Sequence, residues 1–309
     1  MLHKNPFSIF DFLGYVFPGL VTIYFSRLFF TYNFSNSLYI NSLEIFEKCN
    51  AATLAFLIVS SYIIGHIIAY LSSITVEKIS IWCYGYPSDF LVEDPIKYRY
   101  IYAFSAENFH TRKEKWKEAF KVWYKYLWRI IVTLSILPLA LLTLLADIIG
   151  LKYFYIKKLD NYLITQYEIK WSKLVKYLGL EKPNADCSDF HRITYHYSYE
   201  RFPLHAKKLD NYVALYDFLR AMCFIMIIVS EFIFFFYFQK RKIILLYYGL
   251  ISLAIQYILF MAFMKFYRRF SLENIMCIIT SVDIKDIELA EEDRLFFYTS
   301  TDDIIKDQI

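Results

Sequence analysis

The chain has 309 residues, of which 58% are hydrophobic and 21% aromatic, and its formal net charge is only +4. With 29 tyrosines and 30 phenylalanines it is more apolar than a water-soluble domain normally is. Its five cysteines, Cys49, Cys83, Cys187, Cys223 and Cys277, are scattered and odd in number, which argues against a disulfide framework and for reduced thiols.

The opening NPFSIFDFLGYVFPG has Ser8 and Asp11 at capping-box-like spacing and then Pro18-Gly19, which predicts a short interfacial helix feeding or kinking a first span. Apolar residues are bunched in four long stretches, 12–31, 51–76, 221–238 and 243–264. Each approaches the roughly 20 residues that cross a bilayer as helix. No small-residue cleavage site follows the first stretch, so it is expected to stay in the membrane.

Within the second stretch, YIIGHIIAYLSS, Ser61, Gly65, Ala69 and Ser73 recur every four residues. That spacing predicts a smooth helix face on which another helix approaches closely. His66 stands beside it, about 22 Å along the helix from Ala51. Gln256 in the last stretch is about 20 Å from Ile243, nearly the same depth. His66 is therefore expected to be a packing residue satisfied by Gln256, Tyr62 or a serine, with a gate or permeation role as the alternative.

Residues 77–129 contain ten Lys or Arg, whereas residues 32–50 contain only Lys48. The positive-inside bias thus puts the former in the cytoplasm and the N-terminus inside. Gly85, Pro87 and Pro95 signal turns, and a helix should begin near Ser105. On it Lys113, Lys117, Lys121, Lys125 and Arg129 form a basic row about 24 Å long beside an apolar seam. The row suits anionic lipid, and the sharper alternative is a nucleotide or oligonucleotide.

A fifth stretch, 130–146, is uncharged but carries Pro138 and ends at Asp147. If it crossed, residues 152–215, with eleven Lys or Arg, would face outward. A re-entrant or protein-buried helix fits the charge bias better, and a fifth span is the alternative. The hexapeptide KKLDNY occurs at 157–162 and again at 207–212, too short a match for a repeat architecture.

The segment HRITYHYSYERF interleaves tyrosines and histidines with Arg192 and Arg201, groups that suit nucleobases and phosphates. Cys187, Asp189, His191, His196 and His205 match no standard zinc spacing. In the third stretch Glu231 is the only acid, and intramembrane acids usually face a bundle interior or a water-filled path. Arg27 on the first span can reach it, so an Arg27–Glu231 pair and a pore-lining acid are the two readings. Asp217 and Arg220 are expected to anchor the inner boundary. Residues 271–309 carry ten acidic against three basic residues, which predicts a disordered tail or one that docks on the basic helix.

No Walker loop, G-x-S-x-G elbow, H-E-x-x-H or paired intramembrane aspartates are present, so enzymatic function, a metal and a cofactor are not expected. The expected fold is all-α and polytopic. Residues 1–76 would supply two spans, 77–215 a helical cytoplasmic domain including the apolar helix 130–151, 216–266 a transmembrane hairpin, and 267–309 an acidic cytoplasmic tail. Both termini would be cytoplasmic.

The runs DFLGYVFPG (11–19), YIIGHIIAYLSS (62–73) and NYVALYDFLR (211–220) resemble those of bacterial multi-span proteins from defence islands, the Hailong anti-phage membrane channel family among them. The resemblance implies an oligomeric effector in the bacterial inner membrane, gated by a nucleotide or short oligonucleotide, with a nucleotidyltransferase partner. It transfers no individual residue. A membrane anchor or scaffold recruiting a soluble partner is the leading alternative, and a small transporter the next.

Overall fold

The computed structural model describes residues 11–35, 50–92, 114–179 and 190–281. All regular structure among them is helical. A π-turn, Phe12–Val16, leads into α1 (Phe17–Ser35), so the irregularity expected near Pro18 lies just ahead of it. Helix α2 (Ala51–Ser72) starts at Asn50, whose Oδ1 accepts the Thr53 N–H at 2.8 Å. It runs through a second π-turn, Ser73–Glu77, into α3 (Lys78–Tyr84), and a short α4 (Pro87–Val92) follows.

Then come α5 (Glu114–Ser135) and α6 (Leu137–Ile149), whose axes meet at 94° across Ile136. Pro138 explains where α6 starts: lacking an N–H, it is tolerated only in a first turn. Gly150, at φ 86°, closes α6 in the left-handed conformation. After the 3₁₀ turn Leu151–Phe154 come α7 (Asn161–Tyr177), α8 (Phe190–Arg201), α9 (Pro203–Lys240) and α10 (Ile243–Ser281).

Among the described residues four helical segments are long and apolar enough to cross a membrane: Phe12–Tyr32, Ala51–Val92, His205–Lys240 and Ile243–Thr280. They contain the four stretches read from the sequence. Helix is the form expected there, since lipid offers backbone groups no partner and an α-helix satisfies them internally. The bent α5–α6 pair passes the same test only when its limbs are counted together.

The chain divides into two compact units, residues 1–157 with 210–268 and residues 158–209 with 269–309. Within the first, α1 and the π-turn ahead of it meet α2 at backbone distance. A Cβ on Gly19 would lie 1.8 Å from the Ser61 carbonyl oxygen, and one on Gly65 1.9 Å from that of Tyr15. At the other end of α1, Tyr32 is buried with Phe236 and Leu245. The Lys240 ammonium caps this end, donating to the Tyr32 carbonyl at 3.3 Å over the Tyr32 ring.

Two sequence boundaries differ in the structure. Helix α9 runs unbroken across 215/216, and α10 continues to Ser281 where an acidic tail was expected from 267. Phe270, Ile275 and Ile278 are buried, and Glu273 pairs with Lys208 at 2.7 Å. The acidic excess thus conceals a helical turn pattern whose apolar face belongs to the second unit. The rest of the tail, Ser8, the proposed helix start near Ser105, and Pro183-Asn184 lie outside the described residues.

Candidate functional site

The four small residues at 61, 65, 69 and 73 do not share one face. Ser61 and Gly65 are buried, but the buried line continues through Ile68 and Ser72. The reason is geometric: a four-residue step overshoots a 3.6-residue turn by about 40°, so by Ser73 the drift is about 120°. Ala69 is half-buried and Ser73 turns back to donate to the Tyr70 carbonyl at 2.7 Å. Gly19 and Tyr15 supply the opposing surface, and the sequence reading took Gly19 only as a kink.

His66 and Gln256 are not partners. The imidazole is on the surface, stacked on Tyr15 with ring centres 3.8 Å apart and edge-on to Tyr62 at 4.5 Å. Gln256 is fully buried between α9 and α10. There its Oε1 accepts from Ser230 Oγ at 3.3 Å, and its carbonyl receives the Cys223 thiol at 3.6 Å. Equal depth along two helices fixes a shared level but says nothing about which way each side chain points around its axis.

Arg27 and Glu231 are likewise not paired. Both lie exposed on their helices, and neither has an ion-pair partner among the described residues. The paired charges are elsewhere. Arg220, 8% exposed, donates to Glu77 and to Asp217 Oδ1 at 2.7 Å, with Nε 3.3 Å from Ser72 Oγ. Its fork thus joins α9 to the π-turn after α2 with charge-assisted bonds. Asp217 and Arg220 were read as boundary anchors. Glu77 is the first residue of the segment that the charge bias puts in the cytoplasm, although the apolar run continues past it through Ile79, Ile81 and Trp82, a signal that it sits inside a longer helix.

A second polar chain fastens the bent pair. Tyr155 donates to the Tyr84 hydroxyl at 3.2 Å, and Tyr84 to Asp147 Oδ1 at 3.0 Å. Burial pushes the Tyr155 phenol above its ordinary value, so it keeps its proton as a donor. Of the basic row, Lys113 lies outside the described residues and so do the side chains of Lys117, Lys121 and Lys125. The Arg129 guanidinium sits over the Trp82 ring at 5.3 Å, so this member of the row is engaged with protein.

In the second unit, Arg192 and Arg201 are nine residues apart on α8, about 180° around the helix, and cannot line one pocket together. Arg201 donates to the Tyr177 hydroxyl at 3.1 Å. His191 and Tyr195 pack on Phe270, with ring centres 5.7 and 5.6 Å away, and Thr194 meets Tyr167 at 3.2 Å. Much of the aromatic segment is therefore used to hold its own unit together. No cluster of three metal-ligating side chains occurs among the described residues, and Cys187 and Asp189 lie outside them.

These elements define an all-α polytopic membrane protein with polar and charged groups set into its spans. No family model, curated protein or solved structure matches the chain.

Proposed function

We propose that the protein is an oligomeric membrane effector, a ligand-gated ion channel or pore of an anti-phage defence system, controlled from the cytoplasm by a nucleotide or oligonucleotide. The observation that carries the reading is the exposure of Arg27 and Glu231 on spans of a single chain, each without an ion-pair partner among the described residues. A charge at mid-bilayer costs about 2.5–3.5 kcal/mol on insertion scales. Facing a water-filled path or an opposite charge on a neighbouring copy removes that cost. Four spans are too few to enclose a wide pore alone, which also favours several copies. The Arg220–Glu77–Asp217 cluster would then lock α2 to α9 at the cytoplasmic end, with no catalytic role for any residue.

Ion flux from liposomes holding the purified protein tests this. The expected result is leakage that responds to oligonucleotide and falls in Glu231→Gln. If no ions leak with or without oligonucleotide, and Glu231→Gln and His66→Ala leave cellular toxicity unchanged, the channel reading fails. A scaffold that recruits a soluble partner is the second reading, favoured by the separate helical unit formed by 158–209 and 269–309. It expects capture of a partner and no flux.

A further inference from the structure

The bent α5–α6 pair is apolar on both sides. Toward the protein it buries Val132, Ile136, Leu139 and Ala146, and away from it Ile131, Leu134, Leu141, Leu145 and Ile148 are exposed. A helix hydrophobic all round belongs in a protein core or in lipid, and here protein covers only one side.

The two ends of the pair are fastened to the same short helix. Before the bend, Arg129 lies over Trp82 of α3; after it, Asp147 accepts from Tyr84, two residues further along α3. The chain then passes Tyr155, which bonds Tyr84, and at Lys157 its carbonyl accepts two bonds from Arg268 at 3.2 and 2.9 Å. Arg268 is 25 residues beyond Ile243, about 38 Å along α10 from the hairpin turn that joins α9 to α10. A crossing segment would have to deliver its far end about 30 Å away from its start. Arg129 and Asp147 instead both end on α3, beyond the Arg220–Glu77 contact, and Tyr155, two residues before Lys157, is bonded to the same helix. Helix α5 also packs against the π-turn Ser73–Glu77, so the pair lies along the end of the second span.

We infer that residues 130–149 form a shallow re-entrant wedge that enters and leaves the bilayer at the Arg220 face, its outward aliphatic edge lying among the acyl chains of that leaflet. Trp123, Tyr124 and Trp128 are exposed on α5 ahead of this edge, where amphipathic rings at the headgroup level would set its depth. An interfacial element of this kind sits about 5–10 Å into the leaflet. Arg129 on Trp82 and Asp147 on Tyr84 hold its ends, so the wedge couples that leaflet to α3 and, through the π-turn, to Glu77 and Arg220. The proposal concerns topology and lipid contact and stands whether or not the protein conducts.

The test uses the full chain in sealed proteoliposomes of phosphatidylcholine and phosphatidylglycerol, with its five cysteines replaced and single cysteines placed at Glu114, Lys152, Leu141 or Leu145. Membrane-impermeant maleimide is expected to reach positions 114 and 152 from the same side. Nitroxides at 141 and 145 are expected to collide more with oxygen than with a water-soluble nickel chelate. Labelling of the two flanks from opposite sides would overturn the proposal in favour of a broken span. Nickel access at 141 and 145 would overturn it in favour of a water-facing surface, and protection from both quenchers in favour of a contact with a second copy. For the unmodified protein, a phosphatidylcholine carrying a photoreactive acyl chain should cross-link to the peptide holding Leu141 and Leu145. Absence of cross-links there, with labelling of α10, would likewise overturn it.

Discussion

The two halves of α2 are built for different surroundings. From Ser61 onward its face meets α1 at backbone distance and ends beside the buried Arg220 fork. In the first half Leu54, Phe56, Ile58 and Val59 are all exposed. Without a hydrophobic drive between helices in lipid, association comes from close packing and hydrogen bonds, and in the second half Ser61, Gly65 and Ser72 are buried where they can supply them. In the first half Leu54, Phe56, Ile58 and Val59 present an apolar surface suited to acyl chains or to other copies.

Substitutions at five positions break or sharpen this contrast. Arg220→Ala should have the largest effect, costing about 3 kcal/mol by removing the charge-assisted bonds of a buried guanidinium to the half-buried Glu77 and Asp217. The check is denaturant or thermal unfolding in detergent, and Arg220→Lys should recover part of the loss. Gly65→Ala should cost about 1–3 kcal/mol as overpacking, because the new Cβ meets the Tyr15 carbonyl rather than a flexible side chain. The reverse change in the open half, Ala55→Gly, should be measured beside it, where only the helix-propensity loss of about 1 kcal/mol is expected.

Tyr84→Phe should cost about 1–2 kcal/mol by removing the donor to Asp147, and should raise hydrogen exchange in residues 137–157 before the spans. Glu231→Gln, on the exposed side, should change the stability of the detergent-solubilised chain by less than about 0.5 kcal/mol. A large destabilisation there would mean that the acid has a partner within the chain, contrary to its exposed position.

The hexapeptide KKLDNY shows how far local sequence reaches. At 157–162 its first four residues are irregular and Asp160 is the N-cap of α7; at 207–212 the same six residues lie inside α9. Identical propensities give two conformations, because in one copy the Lys157 carbonyl is taken by Arg268 and in the other a helix is already running from Pro203. Both copies also span a boundary between the compact units, at 157/158 and at 209/210. We have no physical account of that coincidence.

Apolar length alone determined the class of this protein: four runs near 20 residues can satisfy their backbones in lipid only as helices, and those four helices are present. The small residues at 61 and 65 likewise announced a close approach, since nothing larger would fit. Rotation about each axis was decided only by tertiary structure. It turned His66 toward Tyr15 and Gln256 toward Ser230, left Arg27 and Glu231 apart, and brought Glu77 to Arg220 and Asp147 to Tyr84. Sequence spacing gives depth along a helix, but side-chain partners depend on how helices far apart in the chain are turned against one another.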